Sequence, residues 1–440
     1  MEKKNVLIIA YLFPPIGGGG VQRALKMAKY LGRYGCKVSV LTVHDPRHIS
    51  LDQSLLEEVP KNVAIHRAME QKIPGMGAGV ATPRGNEGES SNVPEPLVHK
   101  MIQKAKPMLK KVKEAILIPD DQITWYSDAV KLGEQIIKQQ NIDVIFSTSG
   151  PYTNHLVGKQ LKKLTGVKWI ADFRDPWTQN MHRPSGKYRL KREEKMEREV
   201  IEKSDILMTV THSFADNFKE KYGKTIKRLE VIHNGFDPED YEHLQEEKLF
   251  PEKWTFVYTG IFYEQRNPRL FLESVSELIA EESIEKEKVS LQFAGVFDYP
   301  GYTENQDAVE NHGLQDVVHL WGNLPHKKAL AILAGADQLL LIGDVTSDSG
   351  AYIPGKLFEY MAVSNPIFAL TVEGESARII REQQLGAVIP PFDKEQIKNE
   401  LRKSYQEWLT YGRQKLESKN TLKYQRDEQA RLLAEVIHTL

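Results

Sequence analysis

The chain has a single cysteine, Cys36. An internal disulfide is therefore excluded, and a reducing compartment such as the cytoplasm is the expected setting. Net charge is nearly absent. The 59 Lys and Arg residues against 60 Asp and Glu leave −1 at pH 7. Nucleic acid is thus not expected as a partner, since a whole-protein footprint needs a basic surplus. No apolar stretch reaches about 18 residues, so no transmembrane helix is expected. The opening "MEKKNVLIIAYLFPP" has lysines and a short apolar run. It lacks the length and the small-residue cleavage site of a signal peptide, and it reads as a first buried strand. Zinc-ligand spacing, a P-loop and a nucleophile elbow are also missing. So is an Asp-x-Asp pair suited to holding a metal on a diphosphate.

What is present is a soluble globular composition, 40% hydrophobic and 27% charged over 440 residues. That length suits two or three domains. "NVLIIAY" is a continuous apolar run, as a parallel strand covered on both faces requires. A glycine-rich loop follows. Then Val21, Leu25, Ala28 and Leu31 recur at helical spacing, and "KVSVLTV" is the next strand. The same alternation continues through "DVIFSTS", "VKWIADF", "DILMTVT" and "LEVIHNG". A second run opens at "WTFVYTG" and continues through "LQFAGVF", "VVHLWG", "ADQLLLIG", "NPIFAL" and "GAVIP". Alternating strands and helices imply parallel sheets of the α/β class, here in two Rossmann-like units. Residues 71–96, rich in Gly, Ser and Pro, read as a flexible loop.

Several stretches carry chemistry. Gly17 to Gly20 follow a strand and precede a helix, where backbone can approach a phosphate. A dinucleotide fingerprint fails, because Gln22 stands where its third glycine belongs and Pro14 and Pro15 lengthen the loop. "STSGPYTNH" and "IADFRDPW" place polar residues at the carboxyl ends of two strands, where open α/β sheets bind ligands. Asp172, Arg174 and Asp175 there read either as an ion-pair cluster or as groups facing a substrate. His155 reads as a helix-surface residue or an acceptor-side contact. In "TGIFYEQRNP", Gly260 ends a strand and Arg266 offers planar donors to a phosphate. In "DVTSDSGAYIPGKLFEYMA", Pro354 and Gly355 open a helix whose first N–H groups form an anion site, with Lys356 as an added cation. Glu359 lies one turn on, placed either to accept from ribose hydroxyls or to pair with Lys356. Residues 98–118 interleave lysines with an apolar helical stripe. They read either as a helix on the core or as a surface for an anionic membrane.

Taken in order, "PPIGGGGVQR", "ADFRDPW", "VIHNGFD", "YTGIFYEQRNP", "WGNLPHKKALAILAGAD" and "PGKLFEYMAVSNPI" resemble the GT-B glycosyltransferases of the large retaining family called family 4 or group 1. The resemblance spans nearly the whole chain and leans toward bacterial enzymes of surface-polysaccharide and cell-wall assembly. It implies two Rossmann-like domains facing a cleft. These are an acceptor-side domain over 1–235, a nucleotide-sugar domain over 236–420, and a helix over 421–440 packing back across the junction. It implies a nucleotide-diphosphate sugar donor, UDP- or GDP-linked, a saccharide or lipid-linked acceptor, and no cofactor or metal. By the same resemblance Glu359 is the second glutamate of the family's E-x₇-E motif. Gly355 to Leu357 meet the diphosphate, as does Arg266, and Asn323 and Leu324 border the base. Gly18 and Gly19 lie near the donor sugar, with Gly260 at the donor-side strand end. Arg266 and Lys356 are the expected catalytic cations, and His155 and Asp175 the acceptor-side candidates. Two positions depart from the family pattern. Ala351 stands eight residues before Glu359 in place of a glutamate, and Ile261 stands in place of an arginine. Asp344, Ser347 and Asp348 are the nearby groups that could substitute sterically. The departures leave two alternatives open, an inactive nucleotide-sugar-binding scaffold and a hydrolysing nucleotide-sugar 2-epimerase.

Overall fold

The computed structural model describes residues 3–45, 50–71, 117–180, 186–263, 266–346, 348–416 and 421–440. The chain divides into two compact units. The first comprises Met1–Val210, Phe214–Ile232 and Ala430–Leu440, and the second comprises Thr211–Ser213 and His233–Gln429.

Among the described residues, the first unit holds a seven-stranded parallel sheet in the order β3-β2-β1-β4-β5-β6-β7. In chain order these are β1 Lys4–Ile9, β2 Cys36–Val43, β3 Ala64–Ala68, β4 Val144–Thr148, β5 Lys168–Phe173, β6 Ile206–Thr209 and β7 Leu229–Val231. Val6 to Ile9 and Val144 to Phe146 are essentially inaccessible. That explains their unbroken apolar sequences: helices cover both faces, so neither face needs polar residues. The edge strand β3, "AIHRA", has no such run and is only partly buried. It escapes sequence reading for that reason. At the end of the chain His438 Nε2 lies 3.1 Å from the carbonyl of Tyr34, and Arg228 donates to Thr439 Oγ1 at 2.6 Å. These contacts hold the last turn of the Arg426–His438 helix against the first unit.

The second unit holds a six-stranded parallel sheet in the order β10-β9-β8-β11-β12-β13. Its strands are β8 Trp254–Ile261, β9 Val289–Val296, β10 Val318–Gly322, β11 Gln338–Ile342, β12 Ile367–Leu370 and β13 Gly386–Ile389. One apolar cluster centres on Trp254, Phe256, Phe271 and Phe368, and another on Val257, Leu339, Leu357 and Ile379. In both sheets the strand order reverses direction beside the first strand, which opens a crevice at the carboxyl edge. Among the described residues no helix is long and apolar enough to cross a membrane. Residues 72–116, with most of the lysine-rich segment and nearly all of the loop expected over 71–96, lie outside the described residues.

Candidate functional site

In the second unit the candidate residues meet beyond the carboxyl ends of β8 and β11, at the start of the Gly355–Val363 helix. Paired glycines prepare the site. Gly260 and Gly295 are opposite each other in the β8–β9 register, with φ of 129° and 123°. A Cβ on Gly295 would lie 2.0 Å from the Gly260 carbonyl oxygen, and one on Gly260 would lie 2.9 Å from Lys356 Nζ. Only glycine fits either position without displacing backbone or the lysine.

Lys356 is the least satisfied group there. Its Nζ is fully enclosed and has no hydrogen-bond partner among the described residues. It sits 3.7 Å from the ring centroid of Tyr258, which stacks on Phe262 at 4.1 Å. A desolvated cation–π contact contributes about 2 kcal/mol, less than an unpaired buried ammonium costs. Burial pushes the lysine well below its ordinary pKa, and neighbouring Arg266 adds to this, while Glu359 and Asp344 oppose it. An anion arriving here would meet a cation that lacks an acceptor.

Arg266 is already partnered. Its Nη2 donates to Asp344 Oδ2 at 2.6 Å, and its guanidinium lies 4.9 Å from the Tyr263 ring centroid. Its Nε is buried without an acceptor among the described residues. Burial works against the charge, but Asp344, Tyr258 and Tyr263 together outweigh it and hold the arginine above its usual value. Asp344 follows β11 by two residues, and its carbonyl accepts from Ser349 Oγ at 2.8 Å.

Pro354 is the cap residue of the next helix rather than part of its first turn, with φ −64° and ψ 137°. No side chain caps the helix, and Gly355 is exposed with open space around it. The free end therefore presents N–H groups and the positive end of the helix dipole. Leu357 corrects part of the expectation. Its side chain is fully buried in the apolar cluster, and its N–H donates to the Pro354 carbonyl at 3.0 Å. Helical geometry turns it inward, so it has no side chain to offer a ligand.

Glu359 pairs neither with Lys356 nor with an apolar surface. Its Oε1 lies 3.3 Å from Nε2 of His326, the first residue of the His326–Gly335 helix. That contact raises the imidazole pKa against the opposing effect of burial. Asn323 is exposed and Leu324 half-buried in the short loop between β10 and His326. Ile261 is exposed at the end of β8, and Ala351 sits in a short turn over Ser349–Ala351. Tyr258 and His326 carry no sequence signal for a site. Tyr258 resembles any strand aromatic, and His326 gains its role only because two helices pack side by side.

The first unit holds the remaining candidates. Gly18 caps the Gly19–Tyr30 helix with φ 91°, and a Cβ at Gly18 or Gly19 would touch nothing within 4 Å. The loop is anchored from beneath. Arg23 makes a two-pronged pair with Asp172 at 2.8 Å through both oxygens, and Thr148 Oγ1 donates to Asp172 at 2.7 Å. Arg174 Nη1 donates to the Gly20 carbonyl at 2.7 Å. Asp172 is therefore a buried anchor paired with Arg23, which sequence reading left unassigned. Asp175 is exposed beyond β5. His155 is a correction: it is wholly buried rather than on a helix surface. It stacks on Phe173 at 4.4 Å with Nδ1 2.8 Å from Ser147 Oγ. The Thr153–Thr165 helix turns that face onto the sheet. Burial lowers its pKa to about 3, with Asp172 opposing and Arg174 assisting. It has no open surface from which to reach an acceptor.

Residues 80–240 match the family described as Glycosyltransferase Family 4, and residues 253–407 match Glycosyl transferases group 1. A search of curated proteins found no match. Solved structures of similar fold include a glycosyltransferase from Rickettsia africae, 15% identical with a TM-score of 0.56, covering 99% of this chain and 94% of the other. The Anabaena protein Alr3699/HepE in complex with UDP is 13% identical with a TM-score of 0.55, covering 99% and 96%. The UDP-GlcNAc 2-epimerase of Methanocaldococcus jannaschii is 12% identical with a TM-score of 0.52, covering all of both chains. At such identities the likeness concerns the GT-B fold alone. The two family matches lie in sequence order, one in each half of the chain. On that basis the chain belongs to the family 4, group 1 glycosyltransferases, enzymes of glycosyl transfer from nucleotide sugars.

Proposed function

We propose that this glycosyltransferase is a retaining enzyme. It moves a sugar from a UDP- or GDP-linked donor to the hydroxyl of a saccharide or lipid-linked acceptor, in polysaccharide or glycoconjugate biosynthesis, without a metal. The observation that carries the reading is the enclosed ammonium of Lys356, without a hydrogen-bond acceptor among the described residues, beside the uncapped start of the Gly355–Val363 helix. The acceptor oxygen attacks the anomeric carbon on the leaving-group face as the bond to the diphosphate breaks. The bonding pair leaves with the diphosphate, and a phosphate oxygen takes the acceptor proton. No side-chain base is then required, and stabilising the departing charge becomes the protein's main contribution. Lys356, Arg266 and the helix N–H groups supply it, while Glu359 accepts from the ribose. In the first unit, Gly18 and Gly19 are the donor-sugar candidates, and Asp175 is the remaining acceptor-side candidate.

The test pairs binding with turnover. A panel of UDP- and GDP-sugars is screened by thermal shift, where a donor at 100 times its Kd adds about 2.7 kcal/mol. Donor hydrolysis and transfer are then followed by chromatography. Lys356→Ala should lower turnover by roughly 10²–10³-fold, as loss of a transition-state donor does. Undiminished turnover would sink the assignment. Binding without hydrolysis or transfer would mark a scaffold member, and release of a 2-epimerised sugar would mark an epimerase. Retention at the anomeric centre is read from the product by NMR. Peripheral contact with anionic membranes through residues 98–118, at the inner face of the cell membrane, predicts co-sedimentation with anionic vesicles at low salt. Absence of the protein from the vesicle pellet would refute that contact.

A further inference from the structure

The second unit contains a pocket of about 210 Å³ that the reading above does not use. Tyr263, Tyr299 and Tyr302 flank it, and they expose 38%, 54% and 45% of their surface. Single exposed aromatics are ordinary, but three around one concavity call for an explanation. The arrangement is built. Phe262 is buried beneath Tyr263 and packs on Phe293 and Phe297, each 5.8 Å between centroids. Tyr302 N–H donates to the Tyr299 carbonyl at 2.9 Å across a turn containing Gly301 at φ 94°, so both rings are presented from one loop.

The polar lining indicates which chemistry fits. Two helices begin at the pocket, Arg269–Ala280 and Glu304–Asn311. Their ends are occupied by the protein itself. Asp298 accepts from the N–H groups of Asn305 and Gln306, both at 3.0 Å. Asn267 Oδ1 accepts from Arg269 N at 3.2 Å and Nε at 3.1 Å. Two carboxylates, Asp298 and Glu304, outnumber the single guanidinium of Arg269, so an anion is disfavoured. The volume lies below the roughly 300 Å³ at which drug-sized sites begin, which is too small for a nucleotide. Aromatic plates with hydroxyl tips beside fixed carboxylate, amide and guanidinium groups match a neutral ring with an apolar face and a rim of hydroxyls.

We infer that this pocket is a carbohydrate-binding subsite that seats one neutral sugar ring. Its position favours that occupant. The Tyr263 hydroxyl lies 3.5 Å from Asp344 Oδ2 and its ring lies beneath the Arg266 guanidinium, so the pocket shares a wall with the transfer site. The inference rests on the proposed transferase reading, but its test does not depend on turnover.

The probes are methyl glycosides of glucose, galactose, mannose and N-acetylglucosamine, observed by saturation-transfer NMR without nucleotide. At least one should bind the wild-type chain and persist when UDP is added. The double variant Tyr299→Ala/Tyr302→Ala should bind it about tenfold more weakly or worse, with an unchanged melting temperature and an unchanged shift on UDP. The idea is overturned if no glycoside binds, if the double variant binds equally, or if inorganic phosphate displaces the sugar. Absence of a melting-temperature shift with both UDP and GDP in the wild-type chain would count against the transferase reading instead, leaving the sugar result to stand separately.

Discussion

The ammonium of Lys356 lies 3.7 Å from the ring centroid of Tyr258 and meets no acceptor among the described residues. Its place depends on glycine at 260, where a Cβ would lie 2.9 Å from the ammonium. A site of this kind stores a cost in the unliganded protein that an anionic ligand removes.

Replacing this lysine should therefore separate stability from function. Lys356→Met should raise unliganded stability by on the order of 1 kcal/mol, since it removes an unsatisfied buried donor, while nucleotide binding weakens. The pH dependence follows from the depressed pKa. Between that value and the ordinary 10.5, the unfolded chain holds more protons than the folded one. Unliganded stability should therefore rise with pH toward 10.5, and this rise should be smaller in Lys356→Met. Urea titrations across the alkaline range measure both effects. A less stable variant would show that the lysine contributes to packing instead.

The His326–Glu359 pair should make nucleotide binding sensitive to acid. The imidazole pKa is raised above 6.5 by Glu359, with nearby Asp240 adding to the effect. Below that raised value the imidazolium holds the carboxylate, and above it the carboxylate is released to a ribose. Because His326 is 69% exposed, the contact is worth at most about 1 kcal/mol. Calorimetry should show binding of the nucleoside diphosphate the chain takes, UDP or GDP, a few-fold weaker at low pH. His326→Gln should flatten that profile, and an unchanged profile would exclude the pair as its source.

The buried Arg23–Asp172 pair should be costly to break from one side. Both side chains are essentially inaccessible. Arg23→Ala leaves Asp172 with the Thr148 hydroxyl but no cation to pair with among the described residues, and should cost about 3–5 kcal/mol in denaturant unfolding. Melting of Arg23→Ala at the wild-type midpoint would show that the pair does not hold the glycine loop.

His155 should make the first unit acid-labile. Its folded pKa of about 3 lies below the ordinary 6.5, so stability falls as pH drops from 6.5 toward 3. The loss attributable to this group approaches roughly 4 kcal/mol at the lower limit. His155→Leu should show a shallower acid limb than the wild-type chain, and parallel limbs would place the lability elsewhere.

Much of this architecture was legible in the sequence, because a parallel sheet covered on both faces needs unbroken apolar strands and supplies its own signature. β1, β4, β8 and β11 were plain for that reason, whereas β3 is an edge strand that packs on one side and reads as polar chain. Gly260, Arg266, Gly355, Lys356 and Glu359 could be singled out because glycines at strand ends and charges in apolar stretches are costly without a purpose. Their partners could not. Asp344 lies 78 residues from Arg266, and His326 lies 33 residues from Glu359. No local pattern encodes such pairings.

Leu357 and His155 show the limit from the other side. Each sits in a polar or motif-like context, yet the rotation of its helix buries it. The sequence alone determined the α/β class, the two repeating units and the cations set beside glycine turns, since these follow from periodicity and local sterics. Tertiary structure alone decided that Arg266 pairs with Asp344, that Glu359 is held by His326 and that Lys356 meets no hydrogen-bond acceptor among the described residues. Charge balance in a buried site depends on which side chains the packing brings within a few ångströms, and that distance is set by the fold as a whole.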